Sequence, residues 1–442
     1  MNDVHAEKER TIVIGGGLAG LLAACKLARA GGKVLLLERS PQLGGRARSI
    51  TKHGGRMNLG AHAYYLGGAF EQSLLELGVQ LQGAAPPSSQ AQLLWGGKLV
   101  SLPRLVASGT YLSLAEKAEL VRVMVYIARL KPASIERMSL REFAERTTLH
   151  PSVRNVLYAL MRTASYTLNP DGQLARPVVS QLKRTFQSGI LYLHGGWQSI
   201  IDQLERKFQE AGGQLLLGQS VKQVEHEGGR VTGVRMADGS FLAAQAVILT
   251  ASPAENMRLV RDGSESILRR WKEQALPSTV ASLDITLRQL PVAGRNFVVG
   301  IDQPLFFTNN STSAKLTEDG SQVIHLTKYH GISESDPKAD EQQLESVMDF
   351  LHPGWRQQVV AKQYLPRITV VHDYPHIGSA DSNRGPDVPE IMGLYAAGDW
   401  LGHEDELLSD AAAASAERAA RRVLQFREHS PHAAADDKLV SV

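Results

Sequence analysis

Residues 11–38 read TIVIGGGLAGLLAACKLARAGGKVLLLE, and this stretch decides the fold. Its first four residues are apolar or β-branched and end at a glycine, which predicts a buried strand. Residues 18–30 place apolar side chains at helical spacing and end at a glycine pair, which predicts a helix with a defined stop. Residues 33–38, KVLLLE, form a short apolar run typical of a strand buried on both faces. The stretch therefore predicts one strand–helix–strand unit.

The turn between the first strand and the helix carries Gly15-x-Gly17-x-x-Gly20. Gly15 permits the tight turn, Gly17 lets the backbone approach a pyrophosphate, and Gly20 lets helix and strand pack closely. The helix N-terminus offers free N–H groups to phosphates. Glu38 follows Gly20 by about 18 residues, where a carboxylate accepts hydrogen bonds from ribose hydroxyls. A glycine-rich turn without a ligand would not need that acid, so the pattern favours dinucleotide binding.

Composition excludes several classes of protein. Among 442 residues, 48 Lys and Arg against 45 Asp and Glu leave a net charge of +3, which gives no argument for a nucleic-acid partner. The single cysteine, Cys25, excludes an intramolecular disulfide framework and is assigned to the core. No targeting segment is recognised, and no apolar run is long enough to span a bilayer. A reduced cytoplasmic setting is therefore expected.

The rest of the chain alternates between helical and strand-like regions. Residues 40–62 are rich in Gly and Arg and are predicted to form a loop. From about residue 114 to 187 the pattern is mainly helical, with Ser139 as a predicted N-cap. Strand-like runs with glycine-bearing turns between them follow at 214–224, 230–236 and 245–250, and a mixed region covers 281–375. A short strand at 393–397 and a helix from about Asp410 close the pattern.

Two further motifs carry a resemblance to a known family. Leu43-Gly44-Gly45-Arg46 follows the acid, and Ala397-Gly398-Asp399-Trp400 follows the last predicted strand. With the first glycine motif, they resemble the flavin-dependent family of amine oxidases, protoporphyrinogen oxidases and carotenoid (phytoene) desaturases. The resemblance implies FAD, bound non-covalently because the cysteinyl attachment point of some members is missing near the last motif. It places Gly44, Gly45 and Arg46 along the pyrophosphate, and Asp399 on the ribityl chain.

The resemblance also implies the other contacts to FAD. The helix after Asp399, SDAAAASAERAA, resembles the start of a family helix that points at the flavin, with Ser409 as its N-cap. Ala411 and Ala416 stand where the family has glycine. The remaining residues that we expect near the cofactor are Leu18, Ala19, Arg39, Leu59, Gly60, Ala61, Trp197, Val221, Gly398 and Leu408.

These patterns and the resemblance together predict an α/β fold. A Rossmann-type FAD-binding domain, built from a parallel sheet with a β-meander, is interrupted by a mixed α+β substrate domain. The predicted FAD-binding parts are 1–84, 191–280 and 386–427, the predicted substrate parts are 85–190 (mainly helical) and 281–385, and 428–442 is a flexible tail.

Candidates for chemistry follow the glycine-bearing stretch 55–62, which the resemblance places beside the flavin ring. His62, Tyr64 and Tyr65 are the predicted catalytic residues, although a lone histidine is more often structural. His372, Asp373 and His376 are close in sequence, but nothing there shows that they converge. We therefore predict no metal site.

The form of the last motif favours the desaturase branch, so we predict removal of hydrogen from an apolar or partly apolar small molecule. A peroxide-producing amine oxidase and a protein with a structural or redox-neutral flavin are the alternatives, and oxygen or a quinone is the expected electron acceptor. Residues 120–132, LVRVMVYIARLKP, are predicted to be buried in the substrate domain. The alternative is an interfacial helix that makes peripheral contact with a membrane.

Overall fold

The structure, a computed structural model, describes residues 9–333, 335–379, 384–403 and 405–428. The predicted tail at 428–442 therefore lies outside the described residues except for Glu428, and so do the first eight residues.

In chain order, the described strands are β1 (Thr11–Ile14), β2 (Val34–Glu38), β3 (Ser49–Lys52), β4 (Gly55–Asn58), β5 (Tyr64–Tyr65), β6 (Gly83–Ala84), β7 (Ala91–Trp95), β8 (Lys98–Ser101), β9 (Ile190–Leu193), β10 (Gln214–Leu217), β11 (Val221–Glu227), β12 (Arg230–Met236), β13 (Phe241–Ala243), β14 (Ala246–Leu249), β15 (Ser278–Leu287), β16 (Phe297–Gly300), β17 (Leu305–Asn309), β18 (Gln322–Tyr329), β19 (Val359–Val371) and β20 (Leu394–Ala396).

The described α-helices are numbered in the same way. They are α1 (Leu18–Arg29), α2 (Ala69–Glu76), α3 (Leu102–Ala107), α4 (Leu114–Arg129), α5 (Leu140–Thr147), α6 (Pro151–Ser165), α7 (Ala175–Ser188), α8 (Gln198–Glu210), α9 (Pro253–Leu259), α10 (Ile267–Gln274), α11 (Pro337–Leu351) and α12 (Leu408–Glu428).

A five-stranded parallel sheet in the order β10-β2-β1-β14-β20 forms the first layer. Its central strands are buried on both faces, which explains why residues 11–14 and 33–38 are continuous apolar runs. Helices α1, α8 and α12 pack on one face. The antiparallel meander β11-β12-β13 and helices α9 and α10 contribute to the core on the other face. The strand–helix–strand unit and the meander match the predicted α/β fold.

A seven-stranded sheet in the order β19-β15-β18-β17-β16-β7-β8 forms the second layer. One of its faces packs against α11 through Leu283, Ile285 and Leu326, among other residues. The opposite face is covered in part by β4 and the segment that follows it. The region 85–190 thus contributes the β7–β8 hairpin to this sheet before its helices begin.

Two local expectations are wrong. Residues 40–62 contain the antiparallel hairpin β3–β4 rather than only loop, because its two-residue turn uses a left-handed His53 and Gly54 that the Gly- and Arg-rich composition conceals. Helix α4, predicted to be buried, is buried on one face only. Val123 and Ile127 are enclosed, whereas Val121 is 63% exposed.

The N-cap predicted at Ser139 is confirmed, since its side chain accepts a hydrogen bond from the Glu142 amide in a capping box. In the described ranges, no helix combines the length and the apolar character needed to cross a bilayer.

Candidate active site

The first two glycine motifs lie side by side. The amide of Gly44 donates a hydrogen bond of 2.8 Å to the carbonyl of Gly16, and Gly17 and Gly44 form a parallel bridge. Gly15 and Gly44 have φ angles of +110° and +109°, in the region where a side chain is strained, so glycine is required at both positions. Two loops that are separate in sequence therefore form one surface at the start of α1.

This surface leaves room for a ligand at one place and none at another. A Cβ atom at Gly17 would meet nothing within 4 Å, whereas one at Gly20 would lie 1.9 Å from the carbonyl oxygen of Gly15. No side chain caps α1 at Gly17, so the first amides of the helix, including those of Leu18 and Ala19, lack an intrahelical acceptor. An open cradle beside uncapped amides fits a pyrophosphate.

Glu38 is fixed at the end of β2 by two backbone amides. Its Oε2 accepts from the amide of Gly16 at 2.7 Å and its Oε1 from that of Ser40 at 2.7 Å. Each carboxylate oxygen keeps a further lone pair, so hydrogen bonds from ribose hydroxyls remain available. The chain that leads into Val221 runs alongside, because the amide of Gln219 donates to the carbonyl of Glu38. Arg39 is exposed at the surface beside this strand end.

The third motif joins this surface through an ion pair between Arg46 and Asp399. Arg46 Nη1 lies 2.7 Å from Asp399 Oδ2, and Nη2 lies 2.8 Å from Oδ1. Nη1 also donates to the carbonyl of Val370 at 2.6 Å. Burial opposes the positive charge of Arg46, but the carboxylate outweighs it and the pKa of Arg46 is raised. The Arg46 side chain is 40% exposed and that of Asp399 is 9% exposed, so the pair is open from the Arg46 side.

Three further residues lie around this pair, and the sequence analysis gave none of them a role there. Ser415 Oγ accepts from the Gly398 amide at 2.9 Å and donates to the Gly398 carbonyl at 2.9 Å, which fixes the loop before Asp399. Trp400 Nε1 donates to the carbonyl of Ala251 at 3.0 Å. Burial and the charge of Arg46 lower the pKa of His372 to about 4, so this imidazole is a neutral neighbour of the pair. The serine of the helix pattern was the available signal for Ser415.

Helix α12 begins at Leu408, which has a left-handed φ of +55°, so the prediction of Ser409 as N-cap is wrong. Asp410, in the first turn of the helix, points inward. Its Oδ1 accepts from the amide of Phe70 at 2.9 Å, and its Oδ2 lies 2.8 Å from Arg184. Ala411 is fully buried, and a Cβ at Gly402 would lie 2.7 Å from its own Cβ. The helix start is therefore packed tightly against the loop after Asp399.

Asn58 holds the β3–β4 hairpin to the start of α8 and was also missed. Its Oδ1 accepts from Ser49 Oγ at 2.7 Å and from the amide of Trp197 at 3.1 Å. Trp197 is buried, and its ring lies 5.2 Å from the ring of His62 and 5.8 Å from that of Phe70. The segment with Leu59, Gly60 and Ala61 is thus anchored at both ends.

The three predicted catalytic residues separate into two groups. His62 and Tyr65 line a cavity, together with Tyr166, Tyr192, Phe297, Phe306, Ala61, Ala63, Thr163 and Ile190. Tyr64 points to the opposite side of β5, where it packs against Phe70 in the core of the first layer. Burial lowers the pKa of His62, while the carbonyl of Gly60, 3.0 Å from Nδ1, acts in the other direction. Burial raises the pKa of Tyr65.

The cluster of His372, Asp373 and His376 does not form. His376 lies 3.3 Å from Asp373, which also pairs with Arg384, whereas His372 faces Arg46 and Asp399. Among the residues that the structure describes, no group of three His, Cys, Asp or Glu side chains is arranged to hold a metal ion.

Comparisons with known proteins agree with this geometry. The model of the flavin containing amine oxidoreductase family matches residues 18–282. A zeta-carotene-forming phytoene desaturase of Myxococcus xanthus is 23% identical over 368 residues, which cover 72% of this chain and 71% of that protein. An oxidoreductase from Methanosarcina mazei matches with a TM-score of 0.74 and 20% identity over 92% of this chain and 99% of its own. Putrescine oxidase matches with a TM-score of 0.71 and 14% identity over 94% and 99%.

The two solved structures support the predicted fold class, and the family model confirms the predicted family and its flavin cofactor. The open cradle at Gly17 and the 40% exposed side chain of Arg46, whose guanidinium is held by Asp399, fit FAD without a change of fold. The chain belongs to the flavin containing amine oxidoreductase family and is an FAD-dependent oxidoreductase.

Proposed function

We propose that this protein desaturates an apolar, polyene-type hydrocarbon in the cavity beside His62. The observation that carries the proposal is the lining of that cavity. Its ten residues include five aromatic rings and no carboxylate. Tyr166 donates its hydroxyl to the carbonyl of Ala61 at 2.6 Å, and the hydroxyl of Tyr192 lies 2.8 Å from Thr308 Oγ1. Because these two hydroxyl groups have protein partners, the two rings present apolar surface to the cavity.

Separate groups of residues would bind the cofactor and position the substrate. FAD supplies the acceptor for a hydride when it is bound. Gly17, Gly45 and Arg46 would hold its pyrophosphate, and Asp399 its sugar alcohol. The cavity, of about 30 Å³, admits only a short segment of such a hydrocarbon; its aromatic lining would exclude water from that segment and orient it. Tyr166 keeps the segment at Ala61 in place through its hydroxyl. Leu59, Gly60, Leu408, Ser409 and Ala411 remain proposed neighbours of the flavin.

The comparisons support a small apolar molecule as the substrate class. The relatives include phytoene desaturases of Myxococcus xanthus and Cereibacter sphaeroides, whose names state action on an apolar polyene precursor. Their sequence identities to this chain are 23% and 24%, and the matches extend over about 70% of each protein.

An amine is the second candidate substrate, because the family model is that of amine oxidoreductases and aromatic rings hold cationic amines through cation–π contacts. The five rings of the cavity provide such faces. A protonated amine would nevertheless lack a carboxylate partner among the ten lining residues. The lining therefore favours the hydrocarbon.

The test is anaerobic reduction of the FAD-loaded protein, first by phytoene in detergent micelles and then by putrescine. We expect phytoene to bleach the oxidised flavin spectrum and to yield a more conjugated product, and putrescine to leave the spectrum unchanged. Bleaching by putrescine, with hydrogen peroxide formed after oxygen is admitted, would replace the proposal by amine oxidation. A flavin that only photoreduction can bleach would support the structural-flavin alternative. Mixing the reduced protein with oxygen or with a quinone identifies the electron acceptor.

We further propose that α4 brings the protein to a lipid surface, where such a substrate dissolves. Leu114, Val121 and Val125 lie along one side of this helix, with exposed fractions of 84%, 63% and 41%. The cations Arg122 and Arg129 are exposed on the same helix. An apolar stripe with neighbouring cations matches the interface of a bilayer that contains anionic lipids.

A further inference from the structure

Exposed apolar side chains are concentrated around α4. Of the 15 large apolar side chains that are exposed among the described residues, seven lie between residues 102 and 149. Besides those already named on α4, they include Leu102 and Val106 of α3 and Leu149 before α6. Lys117 of α4 donates to the carbonyl of Val106 at 2.7 Å, and Glu119 of α4 accepts from the amide of Leu149. Apolar side chains gathered in this way mark a surface that meets a partner or a membrane.

A groove of about 420 Å³, which we call the α4–α5 groove, opens beside these side chains. Two helix faces line it, and their residues are Arg122, Tyr126 and Leu130 on the side of α4 and Phe143, Arg146 and Thr147 on that of α5. Residues 134–136 and 138, between the two helices, complete the lining. The volume lies in the range of about 300–1,000 Å³ that is usual for small-molecule sites. The cavity beside His62, at about 30 Å³, is far smaller.

The floor of the α4–α5 groove is apolar. Ile135 and Phe143 are buried members of the core of the helical region. Leu130 and Met138, which are partly buried, pack against the same core. Tyr126 is exposed and adds an aromatic ring at the rim. An alkyl chain that entered the groove would therefore lie against hydrocarbon and lose contact with water.

Two arginines, Arg122 and Arg146, add positive charge to this lining, and both side chains are more than half exposed. Arg122 Nη2 donates to the carbonyl of Thr147 at 2.8 Å, which holds its guanidinium beside the residue that follows Arg146. The nearest carboxylates are Glu119, 4.0 Å from Arg122, and the exposed Glu136, 3.7 Å from Arg146. Both separations exceed hydrogen-bond length. Because a guanidinium has five N–H donors, both arginines keep donors for an anion.

We propose that the α4–α5 groove binds one anionic membrane phospholipid, with the phosphate on Arg122 and Arg146. Guanidinium groups match phosphate oxygens in charge and geometry. The apolar floor takes the first methylene groups of an acyl chain, which a free phosphate does not have. The exposed apolar side chains of α4 enter the same bilayer, so the groove opens at the level of the headgroups. This inference rests on the proposed place of α4 at a lipid surface and is independent of the reaction at the flavin.

The first arm of the test needs no membrane. FAD-loaded protein labelled with ¹³C-methyl methionine is titrated with dihexanoyl phosphatidylglycerol below its micelle concentration, and the Met138 signal is assigned by its loss in Met138→Leu. We expect a saturable shift of this signal, and a much weaker response to dihexanoyl phosphatidylcholine or to inorganic phosphate. No shift with phosphatidylglycerol overturns the proposal. An equal response to inorganic phosphate also overturns it, since the groove would then be a site for a free anion, and so does an equal response to phosphatidylcholine.

The second arm measures binding to vesicles that contain phosphatidylglycerol. The double variant Arg122→Gln, Arg146→Gln removes the two cations of the groove. Its matched control is Arg129→Gln, Lys131→Gln, which removes two exposed cations of the same region that do not line the groove. Both variants lose the same charge, but only the first loses charge-assisted hydrogen bonds to the lipid. We therefore expect the loss of affinity to be at least about tenfold greater in the groove variant than in its control.

The outcomes separate this inference from the proposed function. Equal losses of vesicle affinity in the two double variants, at wild-type melting temperatures, overturn the inference, because surface charge alone then explains binding. If the wild-type protein does not bind vesicles, the place of α4 at a lipid surface falls, whereas a Met138 shift with the short-chain lipid still supports the groove as a lipid site. Reduction of the flavin by phytoene enters neither arm.

Discussion

Arg46 and Asp399, 353 residues apart in the chain, form a bidentate ion pair that joins the second glycine motif to the loop after β20. The pair is the point at which the two ends of the sequence meet beside the cradle at Gly17. Replacing Asp399 by Asn removes the charge and keeps the shape, so we expect FAD affinity to fall about 10- to 100-fold, as for loss of a charged hydrogen bond of about 1.5–3 kcal/mol. Fluorescence titration of FAD-free protein with FAD measures the change.

The control for this change is Asp387→Asn, which removes the exposed pair between Asp387 and Arg422 at 3.0 Å on α12. Affinity for FAD should stay at the wild-type value in that variant. Equal losses in both variants would show that the effect is a general one of stability rather than of the cofactor site.

Gly17→Ala tests the cradle itself. Because a Cβ there meets nothing within 4 Å and the backbone φ is −77°, the melting temperature of FAD-free protein should be unchanged. FAD affinity should nevertheless fall by at least about tenfold, since the methyl group occupies the space proposed for the pyrophosphate. Gly109→Ala, which also meets nothing within 4 Å, is the neutral control. Undiminished FAD binding in Gly17→Ala would place the pyrophosphate elsewhere.

The exposed apolar side chains of α4 and the cations beside them predict membrane binding that depends on salt concentration. We expect the wild-type protein to co-sediment with vesicles of phosphatidylcholine and phosphatidylglycerol, and binding to weaken as salt screens the cations of the helix. The double variant Val121→Asp, Val125→Asp should remain in the supernatant. Ile332→Asp, which changes a side chain that is 86% exposed outside α4, should behave as wild type. Wild-type protein that stays in the supernatant would contradict a role of α4 at a lipid surface.

The lowered pKa of the buried His352 predicts that the folded protein loses stability in acid. Burial lowers its pKa to about 4, below the value of 6.5 expected in the unfolded chain. Between these values the unfolded chain binds a proton that the folded protein does not, so the stabilising contribution is complete above about pH 6.5 and is lost as pH falls toward 4. The difference corresponds to about 3 kcal/mol in the free energy of unfolding.

Urea unfolding at several pH values between 7 and 4 measures this dependence. His352→Gln should show a shallower decline of unfolding free energy over that range than wild type. His53→Asn, at an exposed turn where Asn tolerates the left-handed backbone, should decline as steeply as wild type. An unchanged slope in His352→Gln would contradict the assignment.

The sequence predicted best where structure depends on neighbouring residues. The unit at 11–38 was predictable because each element carries its own periodicity and its own glycine stop. The hairpin β3–β4 was missed because its strands are short and its register depends on Asn58 bonding to Ser49 and Trp197, which is a contact between distant segments. The start of α12 was misplaced because the left-handed backbone at Leu408, where the helix begins, has no glycine or asparagine to mark it in the sequence.

The buried pair of Asp284 and His325 is another contact between distant segments that the sequence does not reveal. Asp284 and His325 are 41 positions apart in the chain and lie on different strands. Each alone looks like an ordinary polar residue in a strand. Only the register of β15 against β18 places them opposite each other. Similarly, Arg46 was expected to face phosphate, and its partner Asp399 was expected to face a sugar. Their mutual ion pair could not be predicted from either motif.

A crystal structure of the FAD-loaded protein tests the central claim most directly. We predict one non-covalent FAD whose pyrophosphate lies between Gly17 and Arg46, with Asp399 at the ribityl chain and the flavin ring beside Gly60 and His62 at the aromatic cavity. Flavin density remote from Gly17 and Asp399, or a ring that does not border that cavity, would contradict this prediction.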